Sequence, residues 1–248
     1  MTEDSCPTAK RTPTNGVKKR SALIPTTFKS GIIEVVVGKK QQKYDIHKDL
    51  LCSSSPFFRK ACNGNWKEAR ERRVELPEDT PECFDVYVQW LYSDQLLLKH
   101  EDEKNDNPKL DSDLFLGVYL LGNKLLDRKF KEACVDIAFQ FFDLDNYPQD
   151  WVMSADHAKT LYSALPSSDP YRRLYVKLWA YCSLPSWFDP EDNADAREAP
   201  MEFFRDVAKS ITELAIKYTD HDKFAGCKPK RSDFYEESKD TTAKEQNA

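Results

Sequence analysis

Residues 44–68 read YDIHKDLLCSSSPFFRKACNGNWKE. The stretch holds one histidine, His47, two cysteines, Cys52 and Cys62, and the adjacent pair Phe57 and Phe58. Two readings compete. The residues form a chemical site, a metal ligand set or a Cys/His nucleophile pair, or they form a packed junction between a strand and two short helices. Periodicity supports the junction. Tyr44 and Ile46 alternate with polar neighbours, as in a strand. Leu50 and Leu51 fall in a helical turn. Ser55-Pro56 is a helix start: the serine caps free amides, and proline at the first helical position loses no bond. Phe58, Ala61 and Cys62 then share one helical face. A structural zinc site draws its ligands from close Cys or His pairs, but His47, Cys52 and Cys62 lie 5 and 10 residues apart, and the chain holds no CxxC or HxxxH. Cys62 therefore reads as a small buried hydrophobe, and His47 as a junction residue satisfying nearby backbone groups.

Outward from this stretch, Ile32 to Val37 is a β-branched run, as expected of a buried strand. Gly38-Lys39-Lys40-Gln41 is a turn in which glycine supplies positive φ, so the two strands form a hairpin. Val74-Glu75-Leu76 is a third strand that Pro77 ends. Thr80-Pro81 opens a helix lined by Phe84, Val88 and Leu91. Lys99 to Asp113 is polar and charged and reads as an exposed loop. Leu114, Val118, Leu121 and Leu125 mark the next helix, and Phe130, Cys134, Ile137, Ala138 and Phe141 another. A small sheet covered by many helices is an α+β fold. Farther on, Asp169-Pro170 caps a helix with the stripe Leu174, Leu178, Tyr181. Phe203, Phe204, Val207, Ile211, Leu214 and Tyr218 form a second stripe, and the acidic segment 189–200 links the two.

Composition sets limits on function. The chain has 248 residues, 40% hydrophobic and 32% charged, with a net charge of −5. An acidic balance argues against nucleic-acid binding, which needs a concentrated basic face. No apolar run approaches the roughly 20 residues of a membrane span, and the N-terminus lacks the apolar core of a signal peptide. Seven scattered cysteines suit a reducing compartment, so the cytoplasm or nucleus is expected. Residues 1–27 and 221–248 are polar and aperiodic and read as disordered tails. Their basic clusters, Lys18-Lys19-Arg20 and Lys228-Pro229-Lys230-Arg231, read as solvated charge rather than import signals. Seven isolated glycines build neither a P-loop nor a GxGxxG turn. HExxH and GxSxG are absent. Glu101-Asp102 and Glu191-Asp192 sit in charged loops, without the contrasting environments of an acid/base pair. The five tryptophans read as core and helix contacts. No catalytic residue, metal or cofactor is expected.

The pieces Ile46-His47-Lys48, Leu51 to Phe58, Val74 to Asp79 and Trp90-Leu91-Tyr92, in this order and spacing, resemble the BTB/POZ domain, over about residues 30–145. The resemblance implies a helix cluster flanked by a short sheet, and a role in protein–protein association. The later segments LYSALPSSDPYRRLYVKLWAYCS and MEFFRDVAKSITELAIKY look like the helical C-terminal half of fungal BTB proteins. The expected organisation is a tail (1–27), a BTB domain (28–145), an all-α region (146–220) and a second tail (221–248).

The resemblance implies protein partners. A scaffold or adaptor is the main reading, and a cullin ubiquitin-ligase adaptor is the alternative. Such adaptors carry a hydrophobic-x-acidic motif before the fourth main helix. Here Leu114-Phe115-Leu116 stands near its place without the acid, and Leu110-Asp111-Ser112-Asp113 is the nearest substitute. Leu110, Asp111, Asp113, Leu114 and Leu116 are thus the candidate protein-binding residues. Neither a kelch or MATH domain nor zinc-finger spacing is visible. An enzyme using His47, Cys52 or Cys62 is the remote alternative. Many BTB dimers exchange a helix and strand ahead of the first core strand. This chain offers SALIPTTFKSG (21–31), where Pro25 interrupts Leu23, Ile24 and Phe28, and Ile32 stands near the place of the family's aspartate. A monomer or weak homodimer is expected.

Overall fold

The computed structural model describes residues 30–63, 66–96, 98–100, 109–141, 155–182, 185–189, 191 and 194–217. Both expected tails, their basic clusters and Tyr218 lie outside the described residues.

Strand β1 (Ile32–Val37) pairs antiparallel with β2 (Gln42–His47), with Ile33 opposite Ile46 and Val35 opposite Tyr44. The hairpin turn needs its glycine. Gly38 has φ of 73°, and a Cβ there would come within 3.1 Å of the Asp79 carbonyl and 3.2 Å of Pro81. Strand β3 (Arg73–Leu76) pairs parallel on the other side of β1, giving the order β2-β1-β3. A parallel pair requires a crossover. Here it consists of α1 (Lys48–Ser54), α2 (Pro56–Cys62) and α3 (Lys67–Glu71). The sequence pattern had only two helices at this point. α3 buries no residue, so it carries no apolar stripe to read.

Both expected caps are present. The Ser55 hydroxyl accepts from the Phe58 amide and Thr80 from the Cys83 amide. α4 (Pro81–Ser93) buries Phe84, Tyr87, Trp90 and Leu91. The charged loop after it is flanked by two short strands, β4 (Lys99–His100) and β5 (Lys109–Leu110), paired antiparallel. α5 (Ser112–Lys124) and α6 (Arg128–Phe141) follow. Then come α7 (Ala155–Ala164), which the sequence pattern missed, α8 (Pro170–Cys182) and α9 (Met201–Lys217).

One contiguous core runs from Ile33 to Val207. It crosses the expected boundary at residue 145. The Tyr171 ring on α8 lies 5.3 Å from Phe115 and 4.6 Å from Tyr119, both on α5. Each fully buried side chain of this size contributes roughly 1.5–3 kcal/mol, so the α8 contacts bind the two halves firmly. The expected linker is also packed. Its described part holds a 3₁₀ turn at Ala194–Arg197, with Ala196 and Ala199 buried, and Glu198 receives Lys159 of α7 at 2.9 Å. α7, α8 and α9 meet where the Arg172 guanidinium lies 3.5 Å from the Tyr162 ring centre while Tyr162 donates to Asp206 at 2.9 Å. The α9 stripe is narrower than its spacing suggests: Phe203 and Val207 are buried, but Ile211 is 40% exposed.

Candidate interaction surface

The junction residues are structural partners of their surroundings. The His47 ring Nδ1 lies 2.9 Å from the Tyr92 hydroxyl on α4. The imidazole meets a phenol, and Tyr92 also reaches the His47 amide. The Cys52 thiol donates to the Phe58 carbonyl at 3.8 Å, and Cys52 and Cys62 are both free. Burial, then the neighbouring Cys52, pushes the Cys62 thiol up to about 12. Burial raises Cys52 as well. A raised thiol is a poor nucleophile and a poor metal ligand. Among the described residues, no group of three or more His, Cys, Asp or Glu could hold a metal ion.

The five candidate docking residues are largely taken up by the fold. Leu110 pairs with Lys99 in the β4–β5 ladder. The Asp111 carboxylate caps α5, accepting from the amides of Asp113 and Leu114 at 3.1 and 2.9 Å. Leu116 belongs to the core and Leu114 packs against it. Asp113 projects into solvent but takes His157 Nε2 of α7 at 2.7 Å. Asp113 is the most exposed of Asp111, Asp113, Leu114 and Leu116, and its carboxylate is shared with a histidine.

A surface that sequence reading missed lies along the crossover helices α2 and α3. Trp66 is 60% exposed and Leu126 is 59% exposed. Both rim a pocket of about 520 Å³ bounded by α2, α3 and β3. The tryptophan was expected in the core. What could have marked it is its place between Asn63-Gly64-Asn65 and the charged run beginning at Lys67, with no apolar partner at helical spacing.

Among the solved structures that resemble this chain are two BTB domains. The BTB domain of zebrafish PATZ1 is 17% identical, with a TM-score of 0.33, covering 44% of this chain and 75% of that one. The BTB domain of human Gigaxonin is 17% identical, with a TM-score of 0.34, covering 45% and 80%. No curated protein matches the sequence. The family model for the BTB/POZ domain matches residues 31–127. This segment is a BTB/POZ domain. It opens at the start of β1 and closes at Asp127, the residue that links α5 to α6. BTB domains are protein–protein interaction modules, so this chain has protein partners.

Proposed function

We propose that the chain is a non-enzymatic scaffold or adaptor that docks other proteins through its BTB domain, with α7–α9 as a rigid extension. The observation that carries this is the BTB match, joined to a single core that continues into α8 and α9. The absence of catalysis is supported by the occupation of His47 by Tyr92 and by the raised Cys52 and Cys62 thiols. The free cysteines fit the reducing cytoplasm or nucleus. Affinity capture with the full chain, read by mass spectrometry, tests the reading. Stoichiometric recovery of a specific protein is expected. A chain that recovers none, or that turns over a substrate through Cys52, would refute it.

The cullin alternative is weakened by Leu116, which stands in the acidic position and is buried. Asp113 is the one remaining acid there, and His157 holds it. Any cullin complex is expected to dissociate in gel filtration. The chain itself is proposed to be a monomer or weak dimer, because Pro25 interrupts Leu23, Ile24 and Phe28 in the segment ahead of β1 that an exchange would use. Sedimentation of residues 20–220 reads this directly, and a dimer persisting at nanomolar protein would overturn it.

A further inference from the structure

α9 shows apolar residues on two of its sides. Phe203, Val207 and Ser210 are buried on one. Beside them, Asp206 accepts from Tyr162 of α7 at 2.9 Å and Glu213 from Lys177 of α8 at 3.0 Å. These contacts fix which sides of α9 face the fold. A second apolar line runs outside them. Met201, Phe204, Ala208, Ile211 and Ala215 follow one another at intervals of 3, 4, 3 and 4, the spacing of a helix that packs lengthwise on another helix. Met201 is 80% exposed, Ala208, Ile211 and Ala215 are exposed, and Phe204 is half-buried. Phe188, from the 3₁₀ turn Pro185–Phe188, widens the line, its ring 6.2 Å from that of Phe204. Among the described residues six large apolar side chains are exposed, and three of them, Phe188, Met201 and Ile211, gather here. Such a concentration marks an interaction surface.

The order of side-chain sizes selects the occupant. Large and small residues alternate along the line: Phe204, Ala208, Ile211, Ala215. Against a second α9 running antiparallel, Phe204 faces Ala215 of the other copy and Ala208 faces its Ile211, and the twofold axis repeats both layers. Each layer joins one large and one small side chain, which fills the space between two helices. A parallel pair in register would set Phe204 on Phe204 and Ala208 on Ala208, alternating overpacked layers with voids. The antiparallel order also brings Arg205, exposed on the flank of the line, beside Thr212 of the other copy, so no like charges meet there. A surface complementary to itself about a twofold axis is an isologous interface. From Met201 to Ala215 the line is about 21 Å long and about 10 Å wide. That falls well short of the roughly 800 Å² each partner buries in a standard complex, so the contact is weak.

We propose that the exposed face of α9 pairs antiparallel with α9 of a second copy of this chain, forming a weak homodimer through the helical extension. None of the pairing residues belongs to the BTB segment 31–127, so that segment stays open to other proteins. The inference rests on the weak-dimer reading and names the surface that reading lacks.

The test is sedimentation of the full chain from about 1 µM to about 1 mM. Monomer should give way to dimer at roughly 10–100 µM. Ile211→Asp should weaken association at least about tenfold, with matched thermal melts confirming the fold. Ala208→Phe and Ile211→Ala should each weaken it about tenfold alone, the first by overpacking a layer and the second by emptying one. An equimolar mixture of these two variants should associate within about threefold of the wild type, because every layer again joins large with small. Thr212→Glu should tighten the dimer about threefold by facing Arg205 of the other copy, and Thr212→Lys should weaken it by a similar factor. The proposal is overturned by a mixture no better than its components, or by a dimer indifferent to the charge at position 212. A dimer that survives Ile211→Asp overturns it too, while leaving the weak-dimer reading intact with its contact elsewhere. A chain monomeric up to about 1 mM removes both the α9 pairing and the dimer.

Discussion

The Lys131 ammonium lies 3.0 Å from the Asp169 carboxylate, and their side chains are only 8% and 2% exposed. The pair joins α6 to the cap of α8. Asp169 also accepts from the Tyr119 hydroxyl at 2.9 Å and from the amides of Tyr171 and Arg172. Lys131 reaches Asn123 at 3.1 Å and lies over the Tyr119 ring. One buried charge pair thus connects α5, α6 and α8, which are the BTB domain and its helical extension.

Removing one partner leaves the other charge buried and uncompensated. Lys131→Met is expected to cost about 3–5 kcal/mol, and the double change Lys131→Met/Asp169→Asn much less. Urea unfolding measures both. Because the core is shared, circular dichroism and tryptophan fluorescence should report one transition. Two separated transitions would mean that the halves fold independently.

The joint between α5 and α6 is a second buried polar node. The Ser55 hydroxyl donates to the Leu125 carbonyl at 2.6 Å while accepting from the Phe58 amide. Asp127 accepts from the Tyr87 hydroxyl, the Ser54 hydroxyl and the Phe130 amide. Ser55→Ala removes a cap and leaves a buried carbonyl unsatisfied, for a loss of about 2–3 kcal/mol. Ser55→Thr should retain most of that stability, since the hydroxyl survives. Equal losses from both would show that packing at this site matters more than the bonds.

These nodes mark where sequence reading stops. Ser55, Thr80 and Asp169 were legible as caps because an N-cap is local: a short polar side chain, a proline, and an amide two or three residues on. Strands β1 to β3 and α4, α5, α6, α8 and α9 were legible because their apolar spacing repeats; the two-residue strands β4 and β5, inside the stretch read as an exposed loop, were not. α3 and α7 were not. α3 buries nothing, and α7 buries two alanines, a histidine and a leucine, too little contrast for a stripe. The long-range partners, His47 with Tyr92, Asp113 with His157 and Lys131 with Asp169, are 38–45 residues apart, and no local pattern announces them. The second role of Asp111 escaped for the same reason: it caps α5, which is visible only once α5 is known to begin at Ser112.

α5 approaches α4 at a glycine. A Cβ on Gly117 would stand 2.6 Å from the Cys83 sulfur, far inside van der Waals contact. Gly117→Ala is therefore expected to destabilise by about 1–3 kcal/mol through overpacking, despite alanine's better helix propensity. Cys83→Ala removes the obstructing sulfur. The double change should recover part of the loss, giving a negative coupling energy in a thermal or urea cycle. Additive losses would mean that the helices shift apart instead.

Alkaline pH should unfold this chain earlier than its charge alone suggests. Burial raises the Cys62 thiol from the ordinary 9.0 to about 12, and raises Cys83 and Cys134 as well. It also raises the phenols of Tyr87, Tyr119, Tyr171 and Tyr175 above their ordinary 10.0. Below pH 9 these groups are neutral in both folded and unfolded chains, so their contribution to stability is fully present. As pH rises from 9 toward 12, the unfolded chain loses its thiol protons first and then its phenol protons. The folded chain keeps them, and stability falls with the difference. Unfolding free energy from urea titration should be lower at about pH 10.5 than at about pH 8 by roughly 1–3 kcal/mol. At about pH 8, an aromatic disulfide reagent should label Cys62 and Cys134 only as fast as the chain opens, because both stay protonated and buried. Stability that holds constant or rises through this window would mean that water reaches these groups in the folded chain.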